Sequence, residues 1–298
     1  MMADLRIEEL DLPAWVARAE PNKRNFREAV HIILTAISSS VVLRSKMVMK
    51  GGMLMAIRYN SDRFTKDADF STREKYLKGA EESLLAELDA QIDLANEQLP
   101  YDVMCRRQRS ELRPPRGDAR FPTLQLAIGY APRSKERERT RLLNRQAPTV
   151  VEIDYSYNEA VFDVEILGLG DGEELQAYSL LNLLAEKLRS LLQQPIRERQ
   201  RRQDVYDLNF LIRDIKPLDV AEQMQLLNLL IDSCKEREVD AKKDSFANPV
   251  VKAMSQHGYD DLAPEIEGDL PPFEEAFAIV QRFYEGLPWE AILRTDSS

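Results

Sequence analysis

The chain has 298 residues, 44% hydrophobic and 31% charged, with a formal net charge of −10. That length predicts two domains, and the ordinary composition allows a sizeable packed core. The acidic total argues against a protein that coats nucleic acid broadly, and two distant cysteines (Cys105, Cys234) with two histidines (His31, His257) exclude a disulfide framework or a zinc site.

Residues 22–44 read as a helix, with Phe26, Val30, Ile33, Ala36 and Ile37 at helical spacing. The most apolar stretch, Ala29 to Leu43, is broken by Ser38, Ser39 and Ser40 and is too short for a bilayer. With no charged-then-apolar leader, the chain reads as cytoplasmic, with no membrane partner and with both thiols free. A short strand at Val48 and Met49 runs into Gly51 and Gly52, and a helix follows over Met53 to Tyr59. Asp67 to Ser71 reads as a second strand, and 74–99 as a long amphipathic helix carrying Leu77, Leu84, Leu85, Leu88, Ile92, Leu94 and Ala95. Strands are predicted at Thr123–Ala131, Thr149–Tyr157 and Val161–Ile166, and a turn at Gly168–Gly172. After Ser179 the chain reads as helical, with breaks at Pro195, Pro217, Pro249 and the pair Pro271, Pro272. Leu226, Leu227, Leu229, Leu230 and Ile231 are core candidates. The class is therefore α+β: a mixed α/β domain over 1–172, then a helical domain over 173–298, joined near Leu167 to Ala177.

Two short segments carry the chemistry. A strand ending in Gly51-Gly52 before a helix permits positive φ and close approach to the backbone. The helix start offers free amides that suit phosphate, although such a turn also serves simply to reverse the chain. In a strand, Asp67 and Asp69 project to one side while Ala68 and Phe70 face the core. Two carboxylates held so close repel unless a cation lies between them, and magnesium commonly joins carboxylates to substrate phosphates. Phosphoryl chemistry with metal ions asks for a further carboxylate to position or deprotonate the attacking hydroxyl. Val151, Ile153 and Tyr155 alternate inward, which leaves Asp154, with Glu152 as the alternative, on the polar face.

On the helix Tyr178–Gln194, Lys187 flanks a leucine stripe. There it either snorkels to solvent or contacts a triphosphate. Asp204 and Asp207 stand three apart on one helix face. They either pair with neighbouring arginines, orient Lys187, or hold a ribose. Arginines crowd three stretches: Arg106–Arg120, Arg133–Arg145 and Arg197–Arg202.

Several strings run in one order over residues 46–212: Lys50-Gly51-Gly52, Arg63-x-Thr65-Lys66-Asp67-x-Asp69-Phe70, the strand with Asp154, Ser179-Leu180 through Glu186-Lys187-Leu188, and Arg202-x-Asp204-x-x-Asp207-Leu208. Together they resemble the AbiEii-type nucleotidyltransferases, toxins of type IV toxin–antitoxin and phage abortive-infection systems within the DNA polymerase β-like superfamily. The resemblance implies a polymerase-β-like domain with a mixed sheet followed by a helical bundle. It also implies Mg²⁺ (or Mn²⁺) on Asp67, Asp69 and Asp154, an NTP substrate, and catalytic roles for these aspartates with Lys187 and Asp204. Nucleotide or phosphate contacts are implied for Lys50, Gly51, Gly52, Arg63, Lys66 and Asp207. The implied acceptor is RNA, the tRNA 3′ end, with a cognate antitoxin encoded nearby. The chain departs at Met53, where the superfamily often has Ser or Thr. A protein acceptor at the same site, or a silent binding module with structural carboxylates, are the other readings of these residues.

Overall fold

The computed structural model describes residues 7–115, 119–170, 173–214 and 216–291. They divide into two compact units. The first runs up to Arg58 and resumes over Thr65–Ala177; the second joins Tyr59–Phe64 to the chain from Tyr178 onward.

The first unit contains, in chain order, β1 (Glu8–Glu9), α1 (Leu12–Ala17), α2 (Pro21–Ser39), α3 (Val41–Lys46), β2 (Val48–Lys50), α4 (Gly51–Arg58), β3 (Asp67–Ser71) and α5 (Ala80–Gln98). It continues with β4 (Val103–Arg113), β5 (Thr123–Pro132), α6 (Glu136–Leu143), β6 (Val150–Ser156), β7 (Val164–Gly170) and β8 (Glu173–Tyr178). The strands form one mixed sheet in the order β1-β7-β8-β2-β3-β6-β5-β4. β3 is antiparallel to β2 and parallel to β6, while β5 is antiparallel to both β6 and β4. Period-two patterning sets the buried face: Ala68 and Phe70 of β3 and Val151, Ile153 and Tyr155 of β6 are buried between polar neighbours. α2 and α5 pack against each other and against β4. There the Asn96 amide donates to the Cys105 carbonyl (2.9 Å) and accepts from its N–H (2.8 Å), satisfying backbone groups of an edge strand.

The structure corrects several sequence expectations. The single helix expected over 22–44 is two, because Ser40 turns extended (φ −94°, ψ 119°) and its hydroxyl accepts from the Leu43 N–H to start α3. α5 begins at Ala80 rather than Glu74, after Gly79 in the left-handed region (φ 88°), which leaves Leu77 exposed. α4 begins at Gly51 itself rather than at Met53. The glycines expected in a turn at 168–172 instead close β7 through Gly170, with 171–172 outside the described residues. β8 pairs with β2 at Met49 and Ala177, so residues 173–177 stay with the sheet.

The second unit is helical: α7 (Leu180–Arg197), α8 (Arg202–Asp214), α9 (Val220–Glu236), α10 (Pro249–Gln256) and α11 (Phe273–Glu285). Ser179 caps α7 by accepting from the Asn182 N–H, and Asp219 with Glu222 forms a capping box on α9. Pro195, expected to end a helix, lies inside α7. Proline leaves the Leu191 carbonyl without its usual donor, and the Gln194 side chain donates to that carbonyl instead (3.1 Å). Leu226, Leu227 and Leu230 are buried as expected, whereas Leu229 and Ile231 are only half-buried. No described helix is long and apolar enough to cross a membrane.

Candidate active site

In the first unit, the register of β3 and β6 sets Asp67 opposite Glu152 and Asp69 opposite Asp154. Register partners in paired strands point to the same face, so two adjacent strands present four carboxylates together. Neighbours distinguish them. The Arg109 guanidinium donates to Glu152 Oε1 at 2.8 Å, and the Gln125 amide donates to Asp154 Oδ1 at 3.0 Å. Glu152 is thus charge-paired, while Asp154 is fixed by a neutral amide on one oxygen. Sequence reasoning missed Gln125 and Arg109, because only the pairing of β5 with β6 and β4 brings them there.

On its other side Asp69 lies opposite Lys50 of β2, the residue before the glycine turn. Gly51 has φ +72°, and a Cβ there would stand 2.1 Å from Asp69 Oδ2 and 2.9 Å from Asp69 Cγ. The glycine is required both by backbone conformation and by the carboxylate lying over it. Gly51 and Gly52 open α4, so their N–H groups belong to the first-turn amides that lack helical acceptors. Gly51→Ala is expected to cut transfer at least about tenfold and to lower the melting temperature by several degrees, since left-handed alanine costs about 1–2 kcal/mol and Asp69 must move. Transfer assays beside thermal unfolding check both effects; a variant matching wild type in both contradicts the close approach.

Lys50, expected on phosphate, is buried and its ammonium lies 3.8 Å from Glu159. Lys66 is exposed just before β3. Met53, at the Ser/Thr position, packs in the core. The expected metal ligands Asp67, Asp69 and Asp154 offer hard oxygen donors, the chemistry magnesium or manganese takes. Among the described residues, no three His, Cys, Asp or Glu side chains are gathered closely enough to hold an ion by themselves. The set suits an ion that completes its shell with substrate phosphates and water rather than a closed protein cage.

The second unit holds a separate constellation. Lys187 of α7 donates to Asp204 (3.1 Å) and Asp207 (2.6 Å) of α8, and Arg63 grips Asp207 with two bonds of 2.8 and 2.9 Å. Arg63 also lies 3.9 Å from Glu265. Its segment is pinned by Phe64 N–H donating to the Glu265 carbonyl and Glu267 N–H donating to the Asp62 carbonyl. Lys187 is 7% exposed and Asp207 fully buried. Lys187 therefore does not snorkel, and of the three roles open to Asp204 and Asp207, both orient Lys187 while Asp207 also binds an arginine. Burial pushes the Asp207 pKa up, but Arg63 and Lys187 outweigh it and hold it at about 2. Burial lowers the Lys187 pKa, and Asp207 and Asp204 more than reverse that, leaving it above the ordinary lysine value. Arg63 and Asp207, expected on nucleotide or phosphate, are engaged with one another. Glu265 was not foreseen, since it lies about 200 positions beyond Arg63 in the chain.

His31 is buried against the Tyr101 hydroxyl (2.8 Å) and its pKa is lowered by burial, as befits a core histidine. Both thiols are buried, and burial raises both pKa values, that of Cys234 to about 12. Neither is expected to react with a disulfide reagent in the native protein at neutral pH, and both should react after unfolding. Rapid native labelling of either thiol contradicts their placement.

A comparison with curated proteins by sequence gives no match. Among solved structures, JHP933 from Helicobacter pylori superposes with TM-score 0.55 at 15% identity, covering 93% of this chain and 97% of the other. A second H. pylori structure gives 0.53 at 13% identity, with 93% and 99% covered. MenT4, a nucleotidyltransferase toxin from Mycobacterium tuberculosis H37Rv, gives 0.46 at 15%, with 92% and 98% covered. The two H. pylori structures share this fold. The model of the nucleotidyl transferase AbiEii toxin family, of type IV toxin–antitoxin systems, matches residues 32–279. With the motif strings lying inside that span, the chain belongs to the AbiEii nucleotidyltransferase toxin family.

Proposed function

We propose that this nucleotidyltransferase moves a nucleotide from an NTP onto RNA, at the 3′ end of tRNA, and so stops translation. The observation that carries the reading is the β3–β6 register, which sets Asp67, Asp69 and Asp154 on one face with Asp69 lying against Gly51. A divalent ion, Mg²⁺ or Mn²⁺, held by those carboxylates would offset charge developing on the triphosphate. The RNA 3′-hydroxyl oxygen attacks the α-phosphorus, the bond from that phosphorus to the oxygen bridging to the β-phosphate breaks, and pyrophosphate leaves. Asp154 accepts from Gln125 through one oxygen and keeps the other for the hydroxyl proton. The first-turn amides at Gly51 and Gly52 suit phosphate oxygens. Lys187, whose ammonium donates to Asp204 and Asp207, carries with Asp204 the catalytic role that the family resemblance implies. In this reading Asp204 positions Lys187, and Arg63 and Asp207 act through it rather than on the nucleotide.

Membership in a type IV family implies an antitoxin partner. A nucleotide added to the tRNA 3′ end covers the hydroxyl that carries the amino acid, which accounts for toxicity by simple blockage. The test incubates pure protein with Mg²⁺ and each α-labelled NTP, against total RNA or total cell protein. Label in a tRNA-sized band supports the reading and names the nucleotide; label in protein bands instead replaces RNA by a protein acceptor.

A further inference from the structure

The three arginine-rich stretches are put to different uses. In the first, Arg107 is bound to Asp89, Arg109 to Glu152 and Arg113 to Glu111. In the third, Arg202 bonds Asp261 and the Gly258 carbonyl and lies near Glu265. The middle stretch, 133–145, has six cationic residues and two carboxylates in a chain of net charge −10. Arg133 reaches Glu97 and Lys135 reaches Glu138. Among the described residues, Arg137, Arg141 and Arg145 have no ion-pair partner and are exposed, and Arg139 touches only a backbone carbonyl.

The element carrying them is firmly mounted. α6 buries Leu142, and Gln108 of β4 ties down its end by donating to the Leu142 carbonyl (3.2 Å) and accepting from the Ala147 N–H (3.0 Å). Gly129 lets this contact close, since a Cβ there would stand 2.7 Å from Gln108 Cδ and 2.8 Å from Ala147 Cβ. Arg106, exposed and two positions before Gln108, adds a further cation on β4.

We infer that α6 and the turn after it, through Arg137, Arg141 and Arg145, form the docking surface for the backbone of the RNA acceptor; this rests on the RNA reading above. Arg137 and Arg141 stand about 6 Å apart along the helix, and separated, exposed cations on one element suit successive phosphates of a strand. Leu143 is the one large apolar side chain of α6 left exposed, too little for the apolar centre of a protein interface or for insertion into a membrane.

The test replaces Arg137, Arg141 and Arg145 together by Gln, and separately by Lys, and measures transfer to total small RNA across a salt series. The Gln variant is expected to raise KM for RNA about tenfold near physiological salt and to lessen the slope of log affinity against log salt by about two. NTP affinity should hold, and the Lys variant should recover most of the RNA affinity because phosphate needs the charge. A Gln variant with wild-type KM and salt slope overturns the surface while leaving RNA transfer standing. Wild-type protein that labels no RNA at all overturns the RNA reading itself, and the surface with it.

Discussion

Asp69→Ala is expected to reduce nucleotidyl transfer by about 10²- to 10³-fold or more while the protein stays folded. Asp69 sits centrally on the carboxylate face, opposite Lys50 on one strand and Asp154 on the other, with its carboxylate over Gly51. Removing it takes away the carboxylate that lies against both the glycine turn and the acidic strands. The core beneath is untouched, because Ala68 and Phe70 carry the burial of β3. One carboxylate fewer among four also relieves repulsion, so the melting temperature should move by no more than about 2 °C. Activity assays paired with thermal unfolding read both quantities, and a folded variant with wild-type transfer defeats the assignment.

The second large effect concerns stability. Asp207→Ala leaves Lys187 with one carboxylate and Arg63 without its bidentate partner, both deep in the helical unit. Breaking a buried ionic network by removing one member costs about 3–5 kcal/mol. Lys187→Met alone strands the opposite charge, whereas Lys187→Met with Asp207→Ala restores neutrality. The pair should therefore lose less than the sum of the singles, with a coupling of about 2 kcal/mol or more in a denaturant cycle. The pH dependence follows from the depressed Asp207 pKa of about 2. Its contribution is complete above the ordinary carboxylate range near 4 and is lost as pH falls toward 2, in all about 2 kcal/mol. Asp207→Asn should remove that share of the acid sensitivity between about pH 4 and 2. Additive singles, or an unchanged acid response, contradict a network centred on Asp207.

Where period-two or helical patterning was local, the sequence was readable: Ala68 and Phe70 in β3, the inward Val151, Ile153 and Tyr155 of β6, and the leucines of α7 all lie where alternation or helical spacing puts them. Pairing was not readable, because β3 meets β6 across about 80 residues and neither strand encodes its partner. That gap hid Gln125 and Arg109, and with them the difference between Asp154 and Glu152. Short strands at β1 and β8 gave no periodicity to detect, and the break at Ser40 depended on one hydroxyl capping a new helix. The spacing of Asp204 and Asp207 marked a shared face, but Lys187 and Arg63 as their partners emerged only from packing within the helical unit.

The proposed reaction at the β3–β6 carboxylate face transfers a nucleotide, not a phosphoryl group, to RNA. It is tested most directly by running wild type and Asp69→Ala in parallel with the same NTP labelled at either the α- or the γ-phosphate. α-Label should enter RNA, γ-label should leave as pyrophosphate, and the variant should incorporate neither. Entry of γ-label into RNA, or α-label incorporated equally by a folded Asp69→Ala protein, would contradict it.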